Sequence, residues 1–176
     1  MFGLDWGADP QRAMMRFEGI APVVRTADDL EWLLFDIAAR LMLEKAFLPT
    51  AMVSAADRDM DRVTLSFVAG ALVTVRISFG YGFYTIGQDP DTLSDLAMAA
   101  FARAEWADLL TEMACHHGAP AHSMEAPARA GAWHLVGSAL FVRSDGAPLG
   151  LRFGHDATGL VGDLKCIAPS ASETGI

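Results

Sequence analysis

The feature that most constrains this chain is a stretch in which apolar and polar residues alternate. Three runs, TAMVSA, RVTLSFVA and ALVTVRISF, are separated by the charged turn DRDMD and by Gly70. In the third run the alternation would place Val73, Val75, Ile77 and Phe79 on one face and polar residues on the other. A period of two is typical of half-buried antiparallel strands, so the stretch predicts a three-stranded meander.

A helical period precedes this meander. Thr26 and Asp29 are spaced as in a capping box, and Pro49 ends the predicted helix near Phe47. Apolar residues recur every three or four positions between them, at Leu30, Leu34, Ile37 and Leu41. A short helix is also predicted close to the N-terminus, where an aspartate precedes Pro10.

A second long helix follows the segment QDPDT, in which Asp91 or Thr92 can cap its first turn. Its apolar face is predicted to comprise Leu96, Ala100, Ala104, Ala107, Leu110 and Ala114, widened by Phe101 and Met113. The helix should end at HHGAP, because Gly118 can adopt a left-handed cap and a proline follows. Residues 118–132 then have no clear period and are expected to form a long loop.

Three further strands, WHLVGSALFVR, PLGLRFG and LVGDLKCIA, complete the predicted order. We expect an α+β fold, in which two three-stranded antiparallel meanders are covered by two long helices in the order α-βββ-α-βββ, after the short N-terminal helix. Residues 1–168 would form one domain, followed by a disordered tail at 169–176. The similar order of elements in 26–87 and 91–167 raises the hypothesis of a duplication.

The run MACHHGAPAH combines one cysteine with three histidines. Neighbouring residues of a helix point about 100° apart, so Cys115 and the two histidines after it cannot converge on one ion. The remaining metal hypothesis is a site of Glu112, His116 and His122, with Cys115 as a reserve ligand, for zinc or another divalent transition metal. The end of a helix explains the same residues more simply, so we expect no cofactor.

The charge of the chain excludes several kinds of partner. A net charge of −9 and a pI near 4.8 disfavour binding to nucleic acid or to an anionic membrane.

No apolar run reaches the roughly 18 residues of a membrane span, and no signal-peptide pattern begins the sequence. Catalytic motifs such as HExxH, GxSxG and the Walker loop are missing from the sequence. We expect a cytoplasmic bacterial protein and assign no catalytic residue.

The order of a helix, three strands, a helix and further strands resembles the fold of bacterial secretion chaperones, over roughly residues 26–153. Those proteins are small, acidic and dimeric, and they hold an extended segment of a partner on their surface. The resemblance implies a similar role here, although a third strand and a tail stand where that family has a final helix. It also implies a homodimer.

We therefore expect a non-catalytic protein-interaction module of the chaperone, adaptor, immunity or inhibitor type. Its protein partner would bind an acidic surface that carries an apolar groove, since 52% of the residues are hydrophobic. Aromatic side chains often anchor interfaces, which makes Phe2, Trp6, Tyr81 and Tyr84 the candidate contacts. The alternative is a metal-dependent or small-molecule enzyme, with its site where the second helix meets the 118–132 loop.

Overall fold

The main element of the protein is one antiparallel β-sheet. The computed structural model describes residues 2–34, 36–37, 61–82, 94–130, 133–156 and 159–169. In these residues two helices have full bounds, α1 (Pro10–Arg16) and α2 (Asp95–His117). The strands are β1 (Val24–Arg25), β2 (Asp29–Leu33), β3 (Arg62–Val68), β4 (Ala71–Gly82), β5 (His122–Ala130), β6 (Trp133–Val142), β7 (Pro148–His155) and β8 (Gly159–Ile167).

The eight strands lie in the order β1-β2-β3-β4-β8-β7-β6-β5, and all neighbouring strands are antiparallel. The first four strands form one meander and the last four form another. The two meanders meet where β4 pairs with β8, from Thr74 opposite Ile167 to Gly82 opposite Gly159. This junction makes the sheet continuous from β1 to β5.

The predicted fold of two three-stranded meanders covered by two long helices is therefore wrong. The described residues form a single eight-stranded sheet, and of the two helices with full bounds one is long and the other has seven residues. Neither helix is long and apolar enough to cross a membrane. The error arose mainly at two places, where short-range signals for a helix or a loop occur in segments that form strands.

The first of these places is residues 24–33, which form the β1–β2 hairpin instead of the start of a helix. The Thr26 hydroxyl accepts a hydrogen bond from the N–H of Asp29 at 2.9 Å, as a helix cap would. The N–H of Thr26 also donates to the carbonyl of Asp29, so the same pair closes a hairpin turn. Leu30 and Trp32 are then buried at a period of two.

Helical conformation begins only at Leu34 and continues at Asp36 and Ile37. The rest of the first predicted helix and the predicted strand TAMVSA lie outside the described residues. The tail from residue 170 onward also lies outside the described residues, so none of these three predictions has a structural outcome.

The second place is the loop predicted for residues 118–132. Its central part is β5, which pairs with β6 along its length except at a register break between Glu125 and Ala128. β5 is an edge strand, and its first four side chains are exposed. Exposed residues of an edge strand show no alternation of buried and exposed side chains, so hydrophobic periodicity did not reveal the start of β5.

The C-terminal end of α2 agrees with the sequence, but its N-cap is Ser94 rather than Asp91 or Thr92, and most of its buried face also differs from the prediction. Gly118 caps the C-terminus with a φ of 78°, and Ser94 caps the N-terminus by accepting from the N–H of Ala97 at 3.2 Å. Leu96, expected in the core, is 75% exposed. Met113 is buried as predicted, but the other buried residues are Met98, Ala102, Trp106 and Leu109. The helix has apolar residues on more than one side, so its period alone did not identify the face that packs on β6 and β7.

The fit of aromatic rings against glycines of the sheet determines which face of α2 is buried. Trp106 stacks on Phe153 with ring centroids 6.4 Å apart, and Phe153 stacks on Phe79 at the same distance. A Cβ atom at Gly137 would lie 2.2 Å from the Trp106 ring, and one at Gly162 would lie 2.0 Å from the Phe79 ring. The two glycines therefore leave the space that the rings occupy.

The N-terminal segment covers the β2 side of the same core. Asp9 caps α1 as predicted, by accepting from the N–H of Arg12 at 2.9 Å. Phe17, just after the helix, packs against Trp32 with ring centroids 4.8 Å apart. The backbone of Leu72 exchanges two hydrogen bonds with the loop that precedes α1, which ties this segment to β4.

The alternation in β4 is confirmed for Val75, Ile77 and Phe79, which are all buried. It is wrong for Val73, which is only half-buried. A register shift in the β3–β4 pairing places Leu72 in the core instead, because an extra residue in one strand reverses the faces beyond it.

Gly137→Ala should lower the free energy of unfolding by about 1–3 kcal/mol, because the added methyl group displaces the Trp106 ring. Urea denaturation followed by tryptophan fluorescence measures this loss. Gly150→Ala is the matched control, since its Cβ would come no closer than 3.8 Å to another group, the carbonyl oxygen of Lys165. Equal stability of the two variants would contradict the proposed packing.

Candidate interaction groove

The two faces of the sheet differ in chemistry. The core face, which carries Phe79 and Phe153, is covered by α2 over β6 and β7. The opposite face, called here the open face, carries polar and charged residues at the alternate positions of β3 and β4, and both charged and apolar residues on β6, β7 and β8. The apolar side chains exposed here include Leu140 at 40%, Val142 at 53% and Ile167 at 43%.

Polar contacts on the open face link neighbouring strands. Near β2 and β3, Arg62 forms an ion pair with Glu31 at 3.3 Å, and Thr64 donates to the same carboxylate at 3.1 Å. At the junction of the meanders, Arg76 Nε lies 2.7 Å from Asp163 Oδ1. This second ion pair crosses from β4 to β8.

Strand register places the residues around this ion pair in two rows that run across the sheet, and each row contains one member of the pair. One row consists of Arg76, Lys165, Gly150 and Leu140, on β4, β8, β7 and β6 in turn. The next row consists of Ser78, Asp163, Arg152 and Ser138. Residues directly opposite each other in antiparallel strands lie on the same face, so both rows belong to the open face.

A groove of about 390 Å³, called here the open-face groove, runs over these rows. It is lined by Arg76, Leu140, Pro148, Gly150, Arg152, Asp163, Lys165 and Ile167. Gly150 has no side chain, and a Cβ there would make only an ordinary contact. Packing therefore does not require glycine at this position, and its absent side chain leaves the middle of the groove open.

An adjoining cleft of about 270 Å³ shares Arg76 and Asp163 with the groove. Trp133 lies on its wall, and the Arg152 guanidinium is 5.4 Å from the centre of the Trp133 ring. Such stacking of a guanidinium on an indole is a cation–π contact, which orients the arginine.

The open-face groove is cationic although the chain is acidic. Its lining contains three positive side chains, Arg76, Arg152 and Lys165, and one carboxylate, Asp163. A positive groove on a chain with net charge −9 is a local reversal of charge. The field in the groove favours anionic groups from a partner.

Two of the residues predicted as partner contacts, Phe2 and Trp6, pack against the core rather than on the open face. Phe2 is only 3% exposed and packs edge-on against Phe17. Trp6 is half-buried against the core, and its indole N–H donates to Asp145 at 3.3 Å. Tyr81 is a β4 residue paired with Leu160. Tyr84 lies outside the described residues.

The predicted metal ligands are also placed in different environments. Cys115 and His116 are exposed near the end of α2, and Glu112 is half-buried one turn earlier. His122 starts β5 opposite Leu140, which puts it on the open face, away from the helix. In the described part of the chain no three His, Cys, Asp or Glu side chains are grouped so that they could hold a metal ion.

The last histidine of α2, which follows these candidate ligands in the sequence, contacts the core of the protein. His117 packs against Phe141 with ring centroids 6.1 Å apart. Burial, followed by the charges of Arg143 and His116, lowers the pKa of His117 below its ordinary value. The folded state therefore favours the neutral ring, and stability is lost as the pH falls below the unfolded pKa.

The two cysteines differ in their exposure to solvent. Cys115 is exposed, whereas burial raises the pKa of the Cys166 thiol to about 11. Cys166 is therefore a thiol rather than a thiolate near neutral pH, and it behaves as a small core residue.

Two other histidines, 21 positions apart in the sequence, come together in the structure. His134 and His155 are opposite each other on β6 and β7, with ring centroids 5.1 Å apart and planes 13° apart. Only strand register brings these two residues into contact, and no other histidine is close to either of them in the sequence. His155 is 5% exposed, which makes this stack part of the fold.

Sequence reasoning also missed the charged groove. The alternation in β4 placed Arg76 on the polar face, but the pairing of β4 with β8 was not predicted. Without that pairing nothing in the sequence brings Arg76 close to Asp163 or Lys165, which lie more than 80 positions later.

No protein-family model matches the chain, and no curated protein or solved structure matches it either. Functional inference therefore rests on the geometry and chemistry of the groove.

We expect untagged protein to contain no stoichiometric transition metal, because His122 and the α2 residues lie on different faces of the sheet. Elemental analysis by mass spectrometry after gel filtration measures the metal content. The opposite result, one metal ion per chain that is lost in His122→Ala, would establish the metal-site alternative.

Proposed function

We propose that the protein is a non-catalytic interaction module that holds an extended, acidic segment of a partner protein in the open-face groove. The observation that carries the proposal is the grouping of Arg76, Arg152 and Lys165 beside exposed apolar side chains on a strongly acidic chain. Net charge alone led to the expectation that the partner binds an acidic surface. The proposed contact surface is instead a cationic groove.

Charge complementarity supports an acidic partner. The groove repels cationic segments, while the remaining negative surface of the protein repels acidic segments elsewhere, so a carboxylate-rich chain is directed to one place. The groove chemistry also favours binding over reaction. Its side chains are guanidinium, ammonium and aliphatic groups, and its carboxylate is already paired with Arg76.

The apolar side chains support a segment of mixed composition. Leu140 and Ile167 are 40% and 43% exposed at the end of the groove away from the Trp133 cleft. An extended segment presents every second side chain to the same side, so acidic and apolar residues two positions apart would reach the charged and apolar parts together. Burial of the apolar side chains would then add to the ionic contacts.

A labelled peptide of the sequence TETLTETLT presents this alternation of Glu and Leu on one side. We expect fluorescence anisotropy to show binding with a dissociation constant in roughly the micromolar range, and binding at least about tenfold weaker for TKTLTKTLT. Rising salt should weaken binding of the acidic peptide, because exposed charges are screened.

Gly150→Ile tests the location. The branched side chain suits a strand and projects into the groove without entering the core, so we expect an unchanged or higher melting temperature and a loss of peptide binding. Arg152→Glu should also abolish binding. Arg103→Glu makes the same charge change at an exposed position of α2, and it should leave binding unchanged.

Three results would overturn the proposal. They are failure of the wild-type protein to bind the acidic peptide, equal binding of the two peptides, and full binding by Gly150→Ile. A dimer seen by analytical ultracentrifugation that Gly150→Ile converts to monomer would instead make a second copy of the chain the occupant of the groove.

A further inference from the structure

Arg76 occupies a special position, because it lies in the wall that the open-face groove shares with the Trp133 cleft. Its side chain is 53% exposed, whereas the side chain of Asp163 is 11% exposed. The short contact between Arg76 Nε and Asp163 Oδ1, at 2.7 Å, therefore joins a nearly buried carboxylate to a half-exposed guanidinium.

The geometry of this contact leaves part of the guanidinium available. Asp163 engages Nε, and in the described part of the chain no further hydrogen bond to the Arg76 side chain is found. The two Nη groups form the end edge of the planar fork, and this edge can bind a carboxylate through two parallel hydrogen bonds. An arginine that is already held in place loses less conformational freedom when it binds.

We propose that the open-face groove recognises a carboxylate of the partner segment through Arg76, and that Asp163 is the residue that positions Arg76 for this contact. The inference rests on the proposed function, since it names the group of the partner and the feature of the groove that reads it. Asp163 itself does not touch the partner carboxylate.

A positioning role for Asp163 predicts the opposite effect on peptide binding from the effect that its charge alone predicts. Asp163 is a negative charge in a groove proposed to bind negative groups, so its charge alone would weaken binding. If Asp163 acts only through its charge, removing it should tighten binding of TETLTETLT. If Asp163 holds Arg76 in the binding orientation, removing it should weaken binding.

The test is a double-mutant cycle with Asp163→Val and Arg76→Met, with TETLTETLT as the probe. Valine is close in size to aspartate and suits a strand, but it has no acceptor for Arg76 Nε. We expect Asp163→Val to weaken binding about fivefold to tenfold in the presence of Arg76, on the scale of one charge-assisted contact. In the Arg76→Met background the same substitution should leave binding unchanged or tighten it, because only the removal of a like charge remains.

The reversal of sign separates positioning from a structural role, since damage to the fold would weaken binding in both backgrounds. Thermal melting of each variant provides a second check on the fold. Asp163→Asn keeps an acceptor without the charge, so its affinity for the peptide should lie between those of wild type and Asp163→Val. Tighter binding by Asp163→Val in the presence of Arg76, or equal weakening in both backgrounds, would overturn the inference while the proposed function stands. Failure of the wild-type protein to bind the peptide would overturn both.

Discussion

The pairing of β4 with β8 is the constraint on which the rest of the structure depends. It joins two four-stranded meanders into one sheet. On the core face it sets Phe79 over Gly162, next to Phe153. On the open face it sets Arg76 beside Asp163. One ladder of backbone hydrogen bonds therefore aligns both the aromatic core and the charged groove, and neither is complete in a single meander.

Glycines have different uses on the two faces. On the core face, Gly137 and Gly162 are spaces into which aromatic rings fit, and a methyl group there would collide with Trp106 or Phe79. On the open face, Gly150 has no such neighbour, and its lack of a side chain leaves a groove between charged and apolar walls. The same residue type thus allows tight packing below the sheet and an open surface above it.

Prediction from the sequence succeeded where a residue's role is fixed by its near neighbours. The strands β3, β4 and β7 follow from alternation, β6 from an apolar run and β8 from the turn before it. The start of α1 follows from Asp9, and the end of α2 follows from Gly118. It failed where one local signal serves two structures. Thr26 caps a hairpin turn with the hydrogen bond expected of a helix cap, and β5, whose first four side chains are exposed, is held by pairing with β6.

The candidate site could be predicted only in part. The metal hypothesis grouped Glu112, His116 and His122 because they are close in sequence, but the chain turns at Gly118 and carries His122 to the open face. The groove instead combines residues from β4, β6, β7 and β8, which are distant in sequence and near in the sheet. Its cationic character is the opposite of the net charge, because net charge contains no information on position.

The sequence by itself determined the segments that alternate, the N-cap of α1, the C-cap of α2 and the acidic balance of the chain, since these depend on residue type and short-range spacing. Only the tertiary structure decided which strands are neighbours, which face of α2 is buried and where positive charge gathers. Those outcomes depend on how Trp106 and Phe79 fit the gaps at Gly137 and Gly162, and on the register between β4 and β8. Both require contacts between residues far apart in the chain, which no local pattern specifies.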